Sequence, residues 1–523
     1  MNVDTAERPA AHSPSRGSAL RAMTAAASGA TARLPPLAAP VGQRRAAWWS
    51  RRLRGLTAAV RRARRRLADD EQRIRAVRDS VGALVGSRVL VWAAGSGTMA
   101  VLGFGPLRKA FDPRGITSGF GRVGDLLAGP AARWDAVWYL VIAQRGYHLD
   151  LGSITAPRAA FFPLYPLGLR AVASLGAPPV LAGVLLSLAA LGVALYCIHR
   201  LTTLELSRLV PASLSGREGA DVARLAVALT AFAPMAFFLS AVYSESLFLA
   251  LSAGLFLAAR RGRWALVGLL AALAGATRSA GAVLVVPALI LYLYGPREDR
   301  APDRPPARRS WPAAASARGR SRAVVRAVAC MRPRYRARGD LLWLALAPAG
   351  MGLFMLYAAL SGGDALLPLQ AQGLWGRHFA GPFAGAWDGM KAAFEGARQL
   401  LSFQTRHVYF PTGADSPSVA AGHNLLLAGF LLAALPALVG VLRRLPFAYG
   451  AYLIGALAMA LSYPVAAQPL MSLPRFELVL FPLTMWLAGW LSGRPRARRA
   501  LPLCFALLLC LFTAQFATWH WVA

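Results

Sequence analysis

From Val85 onwards the chain alternates long apolar runs with short polar blocks, many of them dominated by arginine. Crossing a hydrocarbon core about 30 Å thick takes roughly 20 apolar residues of helix. The pattern predicts spans near 86–104, 178–200, 223–242, 244–260, 264–277, 279–294, 341–360, 421–442, 446–463, 476–492 and 500–518. The short runs 264–277 and 279–294 meet at Thr277, Arg278 and Ser279, which leaves a helical hairpin and a re-entrant element both open, and with them the exact span count. The chain is thus expected to be an all-α polytopic membrane protein.

The segment before Val85 behaves differently. Its beginning is rich in Arg, Ala, Pro and Ser without apolar periodicity, a composition that predicts disorder. Further along, RRLRGLTAAVRRARRRLADDEQRIRAVRD (Arg51 to Asp79) has helix-forming residues with scattered Leu, Val and Ile. Such a basic helix fits an anionic lipid surface, and equally a solvated helix that only enforces topology. With the first apolar run beginning this late, a cleaved secretory signal peptide is not expected and the first span reads as a signal anchor.

Charge tests the span placement independently. The formal net charge of +35 would suggest nucleic acid if it lay on one folded face, but the arginines fall in blocks between apolar runs, which is the positive-inside pattern. From a cytoplasmic N-terminus, alternation puts the 200–224 connection, RRGR at 260–263, the 295–340 loop, Arg443-Arg444 and RPRARR at 494–499 inside. Outside fall 105–177, the corner at Tyr243, the Thr277-Arg278 turn, 361–420 and 464–475. Four regions follow: a basic, largely disordered cytoplasmic stretch 1–84, an N-terminal transmembrane catalytic half 85–294, an Arg/Pro-rich cytoplasmic loop 295–340, and a C-terminal transmembrane half 341–523. The expected location is the plasma membrane, with membrane lipids as partners and no nucleic acid.

The segments left outside carry the unusual residues. They are RWDAVWYLVIAQRGY (Arg133 to Tyr147), AAFFPLYPLGLR (159–170), SAVYSESLF (240–248), ATRSAG (276–281) and SLPRFELVLFPL (472–483). Ionisable residues at or within a membrane are costly to place and point to function. Taken together and in this order, these motifs resemble the PIG-V family of GPI mannosyltransferases and its bacterial relatives, members of the GT-C superfamily of integral membrane glycosyltransferases. The resemblance runs from about Val85 to the C-terminus.

That resemblance implies a GT-C-type bundle of about 11 transmembrane helices, with external loops forming the site. It also implies an inverting transferase that takes mannose from a polyprenyl-phosphate sugar donor and delivers it, at the external face, to an acceptor the sequence does not name. A transporter or flippase of a lipid-linked sugar is the alternative from another class. Transporters tend to show repeated halves and mid-membrane charges, and here the charges gather on one face.

A sugar on a lipid phosphate already has a good leaving group, so the chemistry needs a base for the acceptor hydroxyl and cations for the departing phosphate. Asp135 matches the GT-C acid of the first external loop and is the expected general base, with capping of the helix that begins near Ala136 as its competing role. Glu245 is the second catalytic candidate, in competition with stabilisation of a helix start. Arg278 and Arg475 are expected on the lipid phosphate, because arginine binds phosphate bidentately and keeps its charge; snorkelling to headgroups is the alternative. Arg133, Trp134, Trp138, Tyr139, Tyr165 and Tyr243 complete the expected substrate-binding set. Trp375, Trp387, His378, His407 and Tyr409 lie in the loop where acceptor choice is expected. The histidines show no ligand spacing and the external loops no DxD, so neither a metal nor a cofactor is expected. Cys197, Cys330, Cys504 and Cys510 read as packing residues.

Overall fold

The computed structural model describes residues 41–106, 111–150, 155–210, 217–303, 332–406 and 416–523, with side chains from Asp70 onwards except at 217–220. The described elements are helical; two isolated β-bridges, Arg114 with Ser118 and Arg377 with Val465, are the only extended pairings among them. The chain divides into two compact units, 1–71 and 72–523. Within the stretch 1–84, expected to be largely disordered, a helix begins at Val41; residues 1–40 lie outside the described residues.

Among the described residues, five helical segments are long and apolar enough to cross a membrane: Asp70–Leu102, Pro179–Leu204, Gly339–Leu360, Pro417–Arg444 and Pro495–Ala517. Their exposed faces are apolar at helical spacing, as in Leu432, Leu435, Val439 and Leu442, or Leu503, Leu507 and Leu511. That inverts the amphipathic pattern of a water-soluble surface helix and suits hydrocarbon. The protein is a polytopic helical membrane protein.

The other predicted spans are shorter or broken. Glu245–Arg260 has 16 residues, Trp264–Gly275 has 12 and Phe447–Leu461 has 15. The run 279–294 opens as a 3-10 helix, Ser279–Leu284, before Val285–Tyr294. The run 476–492 divides into Leu473–Leu478 and Pro482–Ser492, with a proline opening the second piece. Among the described residues five helices are thus long enough to span, with shorter apolar helices packed among them, and the expected bundle of about eleven is shown only in this part.

The break in the predicted span 223–242 has a visible cause. Its helix ends at Ala231, three residues before Pro234, and the chain resumes as a 3-10 turn, Ala236–Leu239. A broken helix exposes carbonyls that lipid cannot satisfy. Arg88, from the first span and 6% exposed, supplies the donors: its guanidinium bonds the carbonyls of Ala231 at 2.9 Å and Ala236 at 2.7 Å, and Ser240 Oγ at 2.8 Å.

At the centre stands the Glu245–Arg260 helix, buried on every side except at Leu247 and Gly254. It packs most extensively against Pro179–Leu204 and Trp264–Gly275. Close helix approach elsewhere depends on small residues: a Cβ at Gly350 would stand 1.8 Å from the Ala272 carbonyl oxygen. Either side of residues 304–331, which lie outside the described residues, the ends of the expected loop are packed. Arg297 lies over Trp264 at 4.6 Å, Tyr292 at 4.8 Å and Tyr335 at 5.4 Å, and pairs with Asp299 at 2.5 Å.

Candidate active site

Four charged residues from four distant segments meet at the N-terminal end of the Glu245–Arg260 helix. Asp135 stands just before helix Ala136–Arg145, Glu245 opens its own helix, Arg278 precedes the 3-10 turn at Ser279, and Arg475 lies in the short helix Leu473–Leu478. Arg475 Nη1 donates to Asp135 Oδ2 at 2.8 Å, and its Nε lies 3.1 Å from Glu245 Oε1. Arg278 Nη1 donates to the same Glu245 oxygen at 2.9 Å. One guanidinium thus bridges the two acids, and a second closes the group.

Helix capping, the competing role for both acids, is not what the side chains do. Asp135 occupies the N-cap position without a side-chain capping bond, and its carboxylate turns to Arg475. Glu245 is only 1% exposed and sits in the first turn, where the helix dipole also favours an anion. Its Oε2 is buried with no hydrogen-bond partner among the described residues. The Asp135 side chain keeps 17% of its surface open.

The loop that presents Asp135 is held from behind. The Asp135 amide donates to Tyr243 Oη at 3.0 Å, and that hydroxyl donates in turn to the Arg133 carbonyl at 3.0 Å. Trp134, between them, takes a positive φ of 53°. Tyr139 Oη shares a hydrogen bond with Ser244 Oγ at 2.9 Å. Burial and the nearby Glu245 carboxylate push the Tyr139 hydroxyl up to about 12, and burial and Asp135 push Tyr243 well above the usual phenol range. Both therefore act at neutral pH as hydrogen-bonding phenols, not bases. Burial opposes the Arg475 charge, but Glu245 and Asp135 outweigh it and hold that guanidinium above its ordinary value.

The remaining predicted residues divide into two groups. Trp138 lies 5.9 Å from Phe161 in a stacked arrangement and 6.0 Å edge-on from Trp375, making an aromatic wall whose third member comes from the 361–420 loop. Tyr139 packs against Phe161 at 5.1 Å, joining wall to ionic group. Arg133 turns elsewhere: it is 2% exposed, donates to the Ala517 carbonyl at 3.0 Å, lies 3.8 Å from Asp112 and stacks on Trp519 at 4.7 Å. Trp134 follows it, edge-on to Trp519 and Trp521. Tyr165 is fully buried, with its hydroxyl bonded to the Gly183 carbonyl at 3.0 Å and shared with Ser187 Oγ at 2.8 Å. These three anchor the loops and do not face the ionic group. His407 and Tyr409 lie outside the described residues.

Two neighbours escaped the sequence reading. Phe476 stands with its ring centre 5.2 Å from the Arg278 guanidinium carbon and 5.6 Å from that of Arg475. Arg377 approaches the same ring at 5.6 Å. The available signal was an arginine in a loop expected outside, against the positive-inside pattern. Among the described residues no group of three or more His, Cys, Asp or Glu is placed to hold a metal ion.

No curated protein and no solved structure matches this chain. A family model described as Mannosyltransferase (PIG-V) matches residues 106–292, the stretch that carries Asp135, Glu245 and Arg278, which is consistent with this family of membrane glycosyltransferases.

Proposed function

We propose that the protein is an inverting mannosyltransferase that moves mannose from polyprenyl-phosphate mannose to a glycolipid, polysaccharide or protein acceptor at the external face of the membrane. The observation that carries this reading is the accessible Asp135 carboxylate, fixed by Arg475 rather than spent on helix capping. The acceptor oxygen attacks the anomeric carbon and its proton passes to Asp135. The bond from that carbon to the phosphate oxygen breaks on the opposite side, and its electron pair leaves with the lipid phosphate.

Glu245 supports the step in two ways. It holds Arg278 and Arg475 beside the leaving group, and its buried Oε2, which has no partner within the protein, keeps the local field negative between the two guanidiniums. Trp138, Phe161 and Trp375 give an apolar wall for the sugar face or the first isoprene units. The test is incubation of purified protein with polyprenyl-phosphate mannose and a cell-envelope extract, followed by identification of a mannosylated product. Movement of the donor across a bilayer without a new glycosidic bond would replace the reading by a flippase.

A further inference from the structure

We infer that Arg377 binds the phosphate of a polyprenyl phosphate, the group that departs from the donor, and that it does so as the unbalanced charge of the site. The inference rests on the proposed donor class, but its test does not need turnover.

Charge balance carries the argument. Asp135 and Glu245 balance Arg278 and Arg475, all four within one ion-paired group. Arg377 adds a third guanidinium around the Phe476 ring, and no carboxylate among the described residues pairs with it. Glu477, the next acid along the chain, makes no ion pair with any of the three and leaves its Oε1 without a partner. Backbone carbonyls can satisfy the hydrogen bonds of a guanidinium, as they do for buried Arg88, but Arg377 remains partly exposed beside Arg278 and Arg475, so its charge stays open to an anion.

The backbone aims the side chain on purpose. Gly376 ends the 3-10 turn Ala371–Trp375 in the left-handed region, φ 70°, which a side chain would strain. The next residue pairs with Val465, and the Ala380 amide donates to the Ser462 carbonyl at 3.0 Å, laying this loop along the segment that leads to Arg475. Arg377 Nη1 then donates to the Tyr463 carbonyl at 3.2 Å and Nη2 to the Met471 carbonyl at 2.9 Å. These bonds fix the fork without neutralising it. Burial and the like charges of Arg475 and Arg278, opposed by the Asp135 carboxylate, lower the guanidinium to about 10, still protonated at neutral pH. On transfer, the phosphodiester monoanion becomes a monoester whose second charge develops next to this cation. Trp375, two residues earlier, belongs to the aromatic wall, so one loop would grip both ends of the same donor.

Binding of decaprenyl phosphate, decaprenol and dioleoyl phosphatidate to the full-length protein in detergent tests this, with Arg377→Gln and Arg377→Lys beside the wild type and thermal unfolding recorded for each. The wild type is expected to prefer decaprenyl phosphate over decaprenol, and Arg377→Gln to bind the phosphate about 10- to 100-fold more weakly with decaprenol binding unchanged, as loss of a charge-assisted hydrogen bond implies. Lysine should recover part of the loss. Unchanged phosphate binding in a folded Gln variant, equal losses for phosphate and alcohol, or an absent phosphate preference in the wild type would each overturn the inference. Phosphatidate binding as tightly, with the same dependence on Arg377, would overturn its assignment to the donor. Preserved phosphate preference in a protein that transfers no sugar would sink the transferase reading and leave the inference standing.

Discussion

The Glu245–Arg260 helix carries an ionic cluster at each end, built from the same residue types. At its C-terminal end Arg260 pairs with Glu205 at 2.7 Å, Arg208 reaches the other oxygen of Glu205 at 3.1 Å, and Tyr449 adds a hydroxyl at 3.4 Å. Glu205 is fully buried and each of its oxygens lies within ion-pair distance of a cation, although its Oε2, like that of Glu245, has no hydrogen-bond partner; the surplus charge, on Arg208, is nearly half exposed and solvated. At the N-terminal end Glu245 is equally buried, but Asp135 stays partly open and the surplus charge of Arg377, held by backbone carbonyls, is partly exposed. A carboxylate among arginines is therefore not diagnostic of chemistry. What separates a brace from a candidate site is whether acceptors and charges remain available to something that is not part of the protein.

Asp135→Asn should open the widest gap between the two ends. Asparagine keeps the shape but cannot take the acceptor's proton, and loss of a general base costs about 10²–10⁴ in rate. Mannosyl transfer measured on the purified variant should fall by at least two decades at unchanged melting temperature; an active Asn variant would move the base to Glu245. Glu205→Gln should do the reverse. It leaves Arg260, only 6% exposed, without its counter-charge, and breaking such a buried pair costs about 3–5 kcal/mol. Thermal unfolding in detergent should register that loss, while the turnover of whatever remains folded stays near wild type.

A smaller effect is expected for Arg278→Ala and Arg475→Ala. Each should reduce transfer by about one to two decades, equivalent to a lost charge-assisted hydrogen bond of roughly 1.5–3 kcal/mol. Lysine should restore only part of it. Wild-type kinetics in both alanine variants at normal expression would remove these arginines from the donor site. The smallest change belongs to Tyr449→Phe, which deletes one long hydrogen bond to Glu205 and should lower stability by about 0.5–1.5 kcal/mol without altering transfer. A loss of activity there at unchanged stability would mean that the two ends are coupled.

Much of the candidate site was legible before the structure, because membrane insertion makes charge expensive and so makes its position informative. Asp135, Glu245, Arg278 and Arg475 each stood out at the edge of an apolar run, and they do converge. The aromatics of RWDAVWYL were harder to sort. Neighbouring positions in that motif face opposite ways: Trp134 goes to the C-terminal tryptophans and Trp138 to the wall beside the site. Arg133 and Asp135 look like a pair in sequence and have separate partners in space. Arg377 was missed because its neighbours, Tyr463, Met471 and Phe476, come from about a hundred residues further along the chain.

Hydropathy by itself determined that this chain is helical and membrane-embedded, since backbone polar groups in lipid must be satisfied within each segment and an apolar run has little choice but helix. It also located several helix starts, such as Trp264, where a polar block meets an apolar run. The tertiary structure alone decided which helices are long enough to span, which break, and how the charges are shared. The break after Ala231 depends on Arg88 arriving from a segment over a hundred residues away to take up the freed carbonyls. The division of ion pairs between a closed cluster at Glu205 and an open one at Glu245 depends on which helices lie side by side. Apolarity is a local property of the chain, and partnership between buried polar groups is not.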